Sequence, residues 1–257
     1  GSDIDGEAAD DKSGTSVSFN KDGTIVAIGA YDNDGTANNA GHVRVYQYNG
    51  SAWTKLGSDI DGEAAGDTSG KSVSLSSDGT TVAIGAYLND GTGTDAGHVR
   101  IYQYNGSAWT KLGSDIDGEA AEDQSGHSVS LSSDGTIVAF GAIYNDGTAS
   151  NAGHVRVYQY SGGSWTKLGS DIDGEAADDL SGFTVSLSSD GTIVAIGSRK
   201  NDGTGTDAGH VRVYKYNGSA WTKLGSDIDG EAADDLSSQS VSLSPDGTIV
   251  AIGAHYN

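Results

Sequence analysis

The acidic phrase Asp-Ile-Asp-Gly-Glu, with one more acid four residues on, is the first place in this sequence where chemistry could occur. Its second occurrence supplies Asp59, Asp61, Glu63 and Asp67. Alternating carboxylates around a glycine turn offer the oxygen ligands that a hard cation such as Ca²⁺ takes, although the spacing is not that of an EF-hand loop. The same residues also suit a plain crossover loop in which each Asp caps its own turn. A second set, Asn33-Asp34-Gly35, recurs at Asn89, Asn145 and Asn201. It offers further oxygens, and it equally reads as a turn, because these residues tolerate left-handed backbone. His42, His98, His154 and His210 form a third set. Copies on a repeated scaffold stand too far apart to share an ion, so a structural hydrogen bond is expected of each. Trp53, Trp109, Trp165 and Trp221 are expected to pack between repeats. Asn49-Gly50-Ser51, Asn105-Gly106-Ser107 and Asn217-Gly218-Ser219 match the glycosylation pattern, while Ser161-Gly162-Gly163 takes that place in the third copy. No Ser-His-Asp order, zinc signature or phosphate loop appears. Every carboxylate set is repeated, where catalysis needs one asymmetric constellation. The expectation is a protein that is not an enzyme and requires no cofactor, with Ca²⁺ the one ion its loops suit.

These sets recur because the chain is a tandem array. Gly-Ser-Asp-Ile-Asp-Gly-Glu-Ala-Ala starts at Gly1, Gly57, Gly113, Gly169 and Gly225, a spacing of 56 residues. The units are 1–56, 57–112, 113–168 and 169–224, with a partial fifth over 225–257, and they are expected to form one repeat domain over 1–257. Four strands are expected per unit. Strand A is 16–19, alternating small polar and apolar, and an Asp22-Gly23 turn follows. Strand B, 24–30, is apolar on both faces and must therefore be covered on both sides. A loop over 31–41 leads to strand C, 42–48. Asn49-Gly50 turns the chain into strand D, 52–60. No apolar pattern of helical period lasts three turns. Four-stranded antiparallel blades whose faces need cover define an all-β fold, a β-propeller of four complete repeats and a half repeat. An open β-solenoid or a string of small sandwiches is the alternative.

Composition narrows the partners. The 257 residues carry 36 acids against 14 Lys and Arg, a net charge of -22. Such a surface repels nucleic acid and anionic lipid, and no apolar run has the length of a membrane helix, so neither nucleic-acid binding nor membrane insertion is expected. Cysteine is absent, which removes disulfides, thiolate metal sites and a Cys nucleophile.

Ser-Gly-x-Ser-Val-Ser, Asp-Gly-Thr-Ile-Val-Ala-Ile-Gly-Ala and Ala-Gly-His-Val-Arg-Val-Tyr together resemble the FG-GAP repeat of integrin-α-like β-propellers, once per copy. The sequence departs from that pattern at named places. Ser13-Gly14, Ser69-Gly70, Ser125-Gly126 and Ser181-Gly182 stand for the FG, with Ser237-Ser238 in the last copy, and the GAP lacks its Pro. The resemblance implies a calcium loop of alternating acids in the A–B hairpin. Here that hairpin is Asn20-Lys21-Asp22-Gly23 or Ser76-Ser77-Asp78-Gly79, with a single carboxylate, so calcium is not carried over to it.

The copies differ at few places. One is the residue before Ser-Gly: Lys12, Thr68, Gln124, Leu180 and Leu236. Another is the residue after it: Thr15, Lys71, His127, Phe183 and Gln239. The third is the pair after strand B: Tyr31-Asp32, Tyr87-Leu88, Ile143-Tyr144, Arg199-Lys200 and His255-Tyr256. Strand A begins where the first two sets lie and its antiparallel neighbour B ends where the third lies, so all three are expected at one rim. A diversified recognition face on a fixed scaffold explains this; so does a rim that tolerates change as loops do. The leading expectation is a binding or adhesion module, extracellular or at the cell surface, that takes a protein or glycan ligand. The alternative is a structural protein that assembles with copies of itself through open half-blade edges, as a homo-oligomer or within a longer array.

Overall fold

In the computed structural model, which describes all 257 residues, the chain forms strands and turns, and no helix is long and apolar enough to cross a membrane. The first sheet holds β1 (Ser16–Phe19), β2 (Ile25–Ala30), β3 (His42–Tyr48), β4 (Trp53–Lys55) and β5 (Ile60–Asp61). β1 to β4 are neighbours in that order, and β5 also pairs with β3; every pairing is antiparallel. The single run expected over 52–60 is thus two strands. Gly57 separates them, with φ +79 and a position against the Trp109 ring that leaves little room for a Cβ. Because β5 comes from the opening phrase of the second copy, each sheet is completed by residues of the next sequence unit.

The pattern repeats. The second blade holds β6 (Ser72–Leu75), β7 (Thr81–Ala86), β8 (His98–Tyr104), β9 (Trp109–Lys111) and β10 (Ile116–Asp117). The third holds β11 (Ser125–Leu131), β12 (Ile137–Ala142), β13 (His154–Ser161), β14 (Ser164–Lys167) and β15 (Ile172–Asp173). The fourth holds β16 (Ser181–Leu187), β17 (Ile193–Ser198), β18 (His210–Tyr216), β19 (Trp221–Lys223) and β20 (Ile228–Asp229). A half blade, β21 (Ser237–Leu243) and β22 (Val250–Ala254), ends the chain.

The blades stack face to face, as the two-sided apolar pattern of strand B requires. Ile25, Ala27, Val43, Val45 and Ile60 of the first blade pack on Val73, Leu75, Val82 and Ile84 of the second. Ala83 faces the other way, into the core shared with Val138 and Phe140 of the third. Ile84, Phe140 and Ile196 are fully buried, and each such side chain stabilises the stack by roughly 1.5–3 kcal/mol. Strand A's alternating serines tie blades together. The Ser16 hydroxyl donates to the Gly70 carbonyl at 2.7 Å, and the Leu75 amide donates to Ser18 Oγ at 2.9 Å. The indole of Trp109 donates to the Leu56 carbonyl of the preceding blade at 2.7 Å, and Trp165 and Trp221 repeat the contact. At the A–B hairpins the amides of Lys21, Ser77, Ser133 and Ser189 donate to the carbonyls of Ser77, Ser133, Ser189 and Pro245, at 2.8–3.0 Å.

Two faces stay uncovered. Val17 and Phe19 are 56% and 54% exposed, where their second-copy counterparts Val73 and Leu75 are buried. Residues 1–4 form no strand. Gly1 lies against Trp53 as Gly57 lies against Trp109, and Ile4 shares a groove with Val17 and Phe19. At the other end Ile249 is 67% exposed, while Ile25 and Ile137 at the same place in their copies are buried.

Candidate functional site

The A strands of all five copies converge on one cleft of about 490 Å³, and Thr15, Lys71, His127, Phe183 and Gln239 line it, one varied residue from each copy. The local backbone explains their placement. In the last three copies, at Ser-Gly-His-Ser, Ser-Gly-Phe-Thr and Ser-Ser-Gln-Ser, the register of strand A against strand B slips between Ser125 and Ser128, between Ser181 and Thr184, and between Ser237 and Ser240. The bulge takes two residues out of the ladder, Gly126 and His127 in the third copy, and re-aims the side chain of the second. Gly126, at φ +87, makes the bend, and the His127 amide donates to the Gln124 carbonyl at 3.2 Å. The pair after strand B is tied to the same place: the amides of Asp32, Tyr144, Lys200 and Tyr256 donate to the carbonyls of Asp11, Asp123, Asp179 and Asp235, all at 3.2–3.3 Å.

Across the copies these side chains touch. The Lys71 ammonium stands 5.0 Å from the Tyr31 ring centre and 5.7 Å from that of Tyr87. Tyr87 meets His127 edge-on at 5.9 Å, His127 meets Phe183 at 5.0 Å, and the Arg199 guanidinium lies 4.9 Å over Phe183. The remaining varied positions are placed differently. Thr68, Ile143 and Leu180 are buried, and Gln124 and Leu236 are half-buried; only Lys12 of its set is exposed. That set has φ between +49 and +57, a left-handed backbone in the crossover loop that turns its side chains toward the protein. Asp32 and Leu88 are half-buried, while Tyr144, Lys200, His255 and Tyr256 are exposed, and none of them lines the cleft.

The acidic loops do not form the single cation site that Asp59, Asp61, Glu63 and Asp67 suggested. Asp59 groups with Glu7 and His42, whereas Glu63 groups with His98 and Asp115 one blade further on. Both carboxylates already hold cations: Lys55 Nζ lies 2.9 Å from Asp59, and Arg100 lies 3.3 Å from Glu63. The Asp61 carbonyl accepts from Arg100 at 2.8 Å, and the Asp67 carboxylate accepts from the Ala64 amide at 2.9 Å. The arrangement is an ion-pair network between blades, and a divalent ion would have to displace a guanidinium and an ammonium to enter it. Asn33 and its copies close turns: Asn33 Oδ1 accepts from the Gly35 amide at 2.8 Å.

The four histidines also depart from expectation, since none makes the structural hydrogen bond. Each is buried, its Nε2 has no partner, and its Nδ1 lies 3.8–4.0 Å from a carboxylate oxygen. Burial, seconded by Arg100 and Arg156, pushes His98 and His154 down to about 4, and burial lowers His42 and His210 as well. Nothing in the sequence marks these imidazoles as unpartnered. The mouth contacts did leave a signal, the variation among copies, but the pairing of rings and cations required the stack.

Antiparallel blades of four strands stacked about an axis lined by their first strands are those of a β-propeller. Within that class, residues 59–102 match the FG-GAP repeat, and the other copies carry nearly the same residues at the same spacing. No curated protein matches the sequence. Among solved structures, hydrazine synthase of Kuenenia stuttgartiensis is similar over 98% of this chain and 57% of its own, with a TM-score of 0.60 and 11% identity. The periplasmic gluconolactonase PpgL of Pseudomonas aeruginosa is similar over 92% of this chain and 64% of its own, with a TM-score of 0.62 and 15% identity. A Bacteroides uniformis protein assigned as a 6-phosphogluconolactonase is similar over 93% and 77%, with a TM-score of 0.54 and 10% identity. The chain thus spans about three fifths of the first two. The likeness is one of fold. It overturns the expectation that the chain is not an enzyme, because that expectation took a repeated scaffold to argue against catalysis, and blades of this architecture occur in proteins named as lactonases.

Proposed function

We propose that the chain is a binding module that recognises a protein or glycan ligand at the mouth where its A strands converge. The observation that carries this reading is that varied residues of successive copies touch one another there, while the turns at the C–D hairpins hardly change between copies. A tolerant loop needs no such contact between its substitutions. An extracellular or cell-surface setting belongs to the same reading and accords with the FG-GAP repeat match. The test exchanges Phe183→Lys, Arg199→Tyr and Lys200→Leu, the second copy's residues, and compares both chains on glycan and peptide arrays. The exchanged chain is expected to lose the parent's binding profile while keeping its thermal midpoint. Identical profiles overturn the reading.

The uncovered apolar faces favour a second reading, assembly of copies head to tail. Val17 and Phe19 lie on the face that interior blades bury against the preceding blade. Light scattering on concentrated protein is then expected to give a mass above 26.0 kDa, reduced to that value by Phe19→Asp. A monomer throughout rejects it.

A further inference from the structure

The cations at the mouth stand apart from the others in the molecule. In a chain with 36 acids, eight of the 14 Lys and Arg side chains are ion-paired: Lys55, Lys111, Lys167 and Lys223 on strand D, and Arg44, Arg100, Arg156 and Arg212 on strand C. Of the six that are not, Lys12, Lys21, Lys71, Arg199, Lys200 and Lys215, Lys71 and Arg199 alone lie over aromatic rings. The 15 residues lining the cleft include no Asp or Glu. Three buried polar atoms lack hydrogen-bond partners: His127 Nδ1 and Gln239 Oε1 of the lining, and Nε of Arg199, which lies over the lining residue Phe183. The hydroxyls of Ser16, Ser72, Ser128 and Thr184 are already engaged with carbonyls of the next blade, so they are not the polar groups awaiting a ligand.

We propose that the mouth takes a small organic anion, a carboxylate carried on a sugar or aromatic ring, which Lys71 and Arg199 attract and the walls formed by Tyr87, His127 and Phe183 stack against. The inference rests on the reading of the mouth as the recognition site and adds the chemistry of the ligand. An arginine or lysine that faces a ring without a counterion keeps its charge available, and a carboxylate gains charge-assisted hydrogen bonds from it. The ring supplies apolar area and a π-face that a bare inorganic ion lacks. In a molecule of net charge -22, the field outside repels anions, so selectivity for them depends on a place where unpaired cations lie over rings.

The test titrates the whole chain with D-glucuronate and benzoate, and with their neutral counterparts methyl glucoside and benzyl alcohol, by ligand-observed NMR. Each is repeated on the Lys71→Gln, Arg199→Gln double variant, whose polar substitutions at half-buried positions lie outside the blade cores. A carboxylate is expected to bind, to weaken about fivefold or more in the double variant, and to outbind its neutral counterpart by a similar factor. Equal binding of charged and neutral rings, both lost on Phe183→Lys, would overturn the anion inference and leave the mouth as the recognition site. Carboxylate binding that the double variant leaves unchanged would overturn it too. If no ring compound binds, the inference falls, and the array comparison separately decides the mouth.

Discussion

Gly141→Ala is expected to destabilise the stack by about 3 kcal/mol, near the upper end for an overpacked core. Gly141 lies in β12, where it faces Gly182 of the next blade. A Cβ there would overlap the Gly182 carbonyl and Cα, which are backbone and cannot rotate away. Gly29 with Gly70 and Gly85 with Gly126 make the same contact. Gly106→Ala is the control. It sits at φ +97 with nothing near its missing Cβ, so only backbone strain of about 1 kcal/mol is expected there. The last copy has Ser238 in place of the facing glycine, at φ +79, fully buried and with its hydroxyl unpartnered. Ser238→Gly is therefore expected to stabilise, by about 1 kcal/mol or more. Urea midpoints of the three variants check the series. A loss at Gly141 no larger than at Gly106 would show that the close approach of blades is not what the glycines serve.

Acidification is expected to weaken the fold well before the carboxylates are neutralised. His98 and His154 are held down to about 4 by burial, against about 6.5 in an unfolded chain. Between those values the unfolded state binds more protons, so stability is complete above pH 6.5 and falls as pH drops toward 4. At pH 5 each of the two contributes a loss of about 2 kcal/mol as an order of magnitude. His42 and His210 add to it in the same direction. Asp61, Asp117 and Asp173 oppose the trend at the acid end, because burial and then a neighbouring Asp raise them, so that the folded protein takes up their protons more readily. Urea unfolding at pH 7.5, 6 and 5 reads the slope, and His154→Gln is expected to flatten it. Equal midpoints at all three pH values would mean that water reaches these imidazoles.

The periodicity made the blades legible. Asp22-Gly23 and Asn49-Gly50 mark two turns of each sheet, and the two-sided apolar run over 24–30 required cover that only stacking supplies. What it left hidden involves residues brought together from neighbouring copies. The bond from Ser16 to the Gly70 carbonyl is one such case, and the split of Asp59 and Glu63 into different clusters is another. No local pattern encodes a partner one copy away, and a carboxylate-rich phrase looks the same whether its acids converge on an ion or pair with Lys55 and Arg100. The bulge at Ser125–Ser128 was not legible in Ser-Gly-x-Ser, because it takes shape only against strand B opposite, where Gly141 lets the next blade's glycine approach.

The bonds between blades join near-identical surfaces, and this bears on how the molecule reaches its form. A strand displaced by one whole copy would meet almost the same serine, indole and arginine partners as in its proper place. What selects the proper place is chain connectivity: the shorter excursion closes with less loss of entropy, but each doubling of the loop changes that term by only about 0.6 kcal/mol. Newly made chains are therefore prone to assemble with a blade skipped or exchanged with a neighbouring molecule, and the few side chains that differ from copy to copy are the only internal address labels against it.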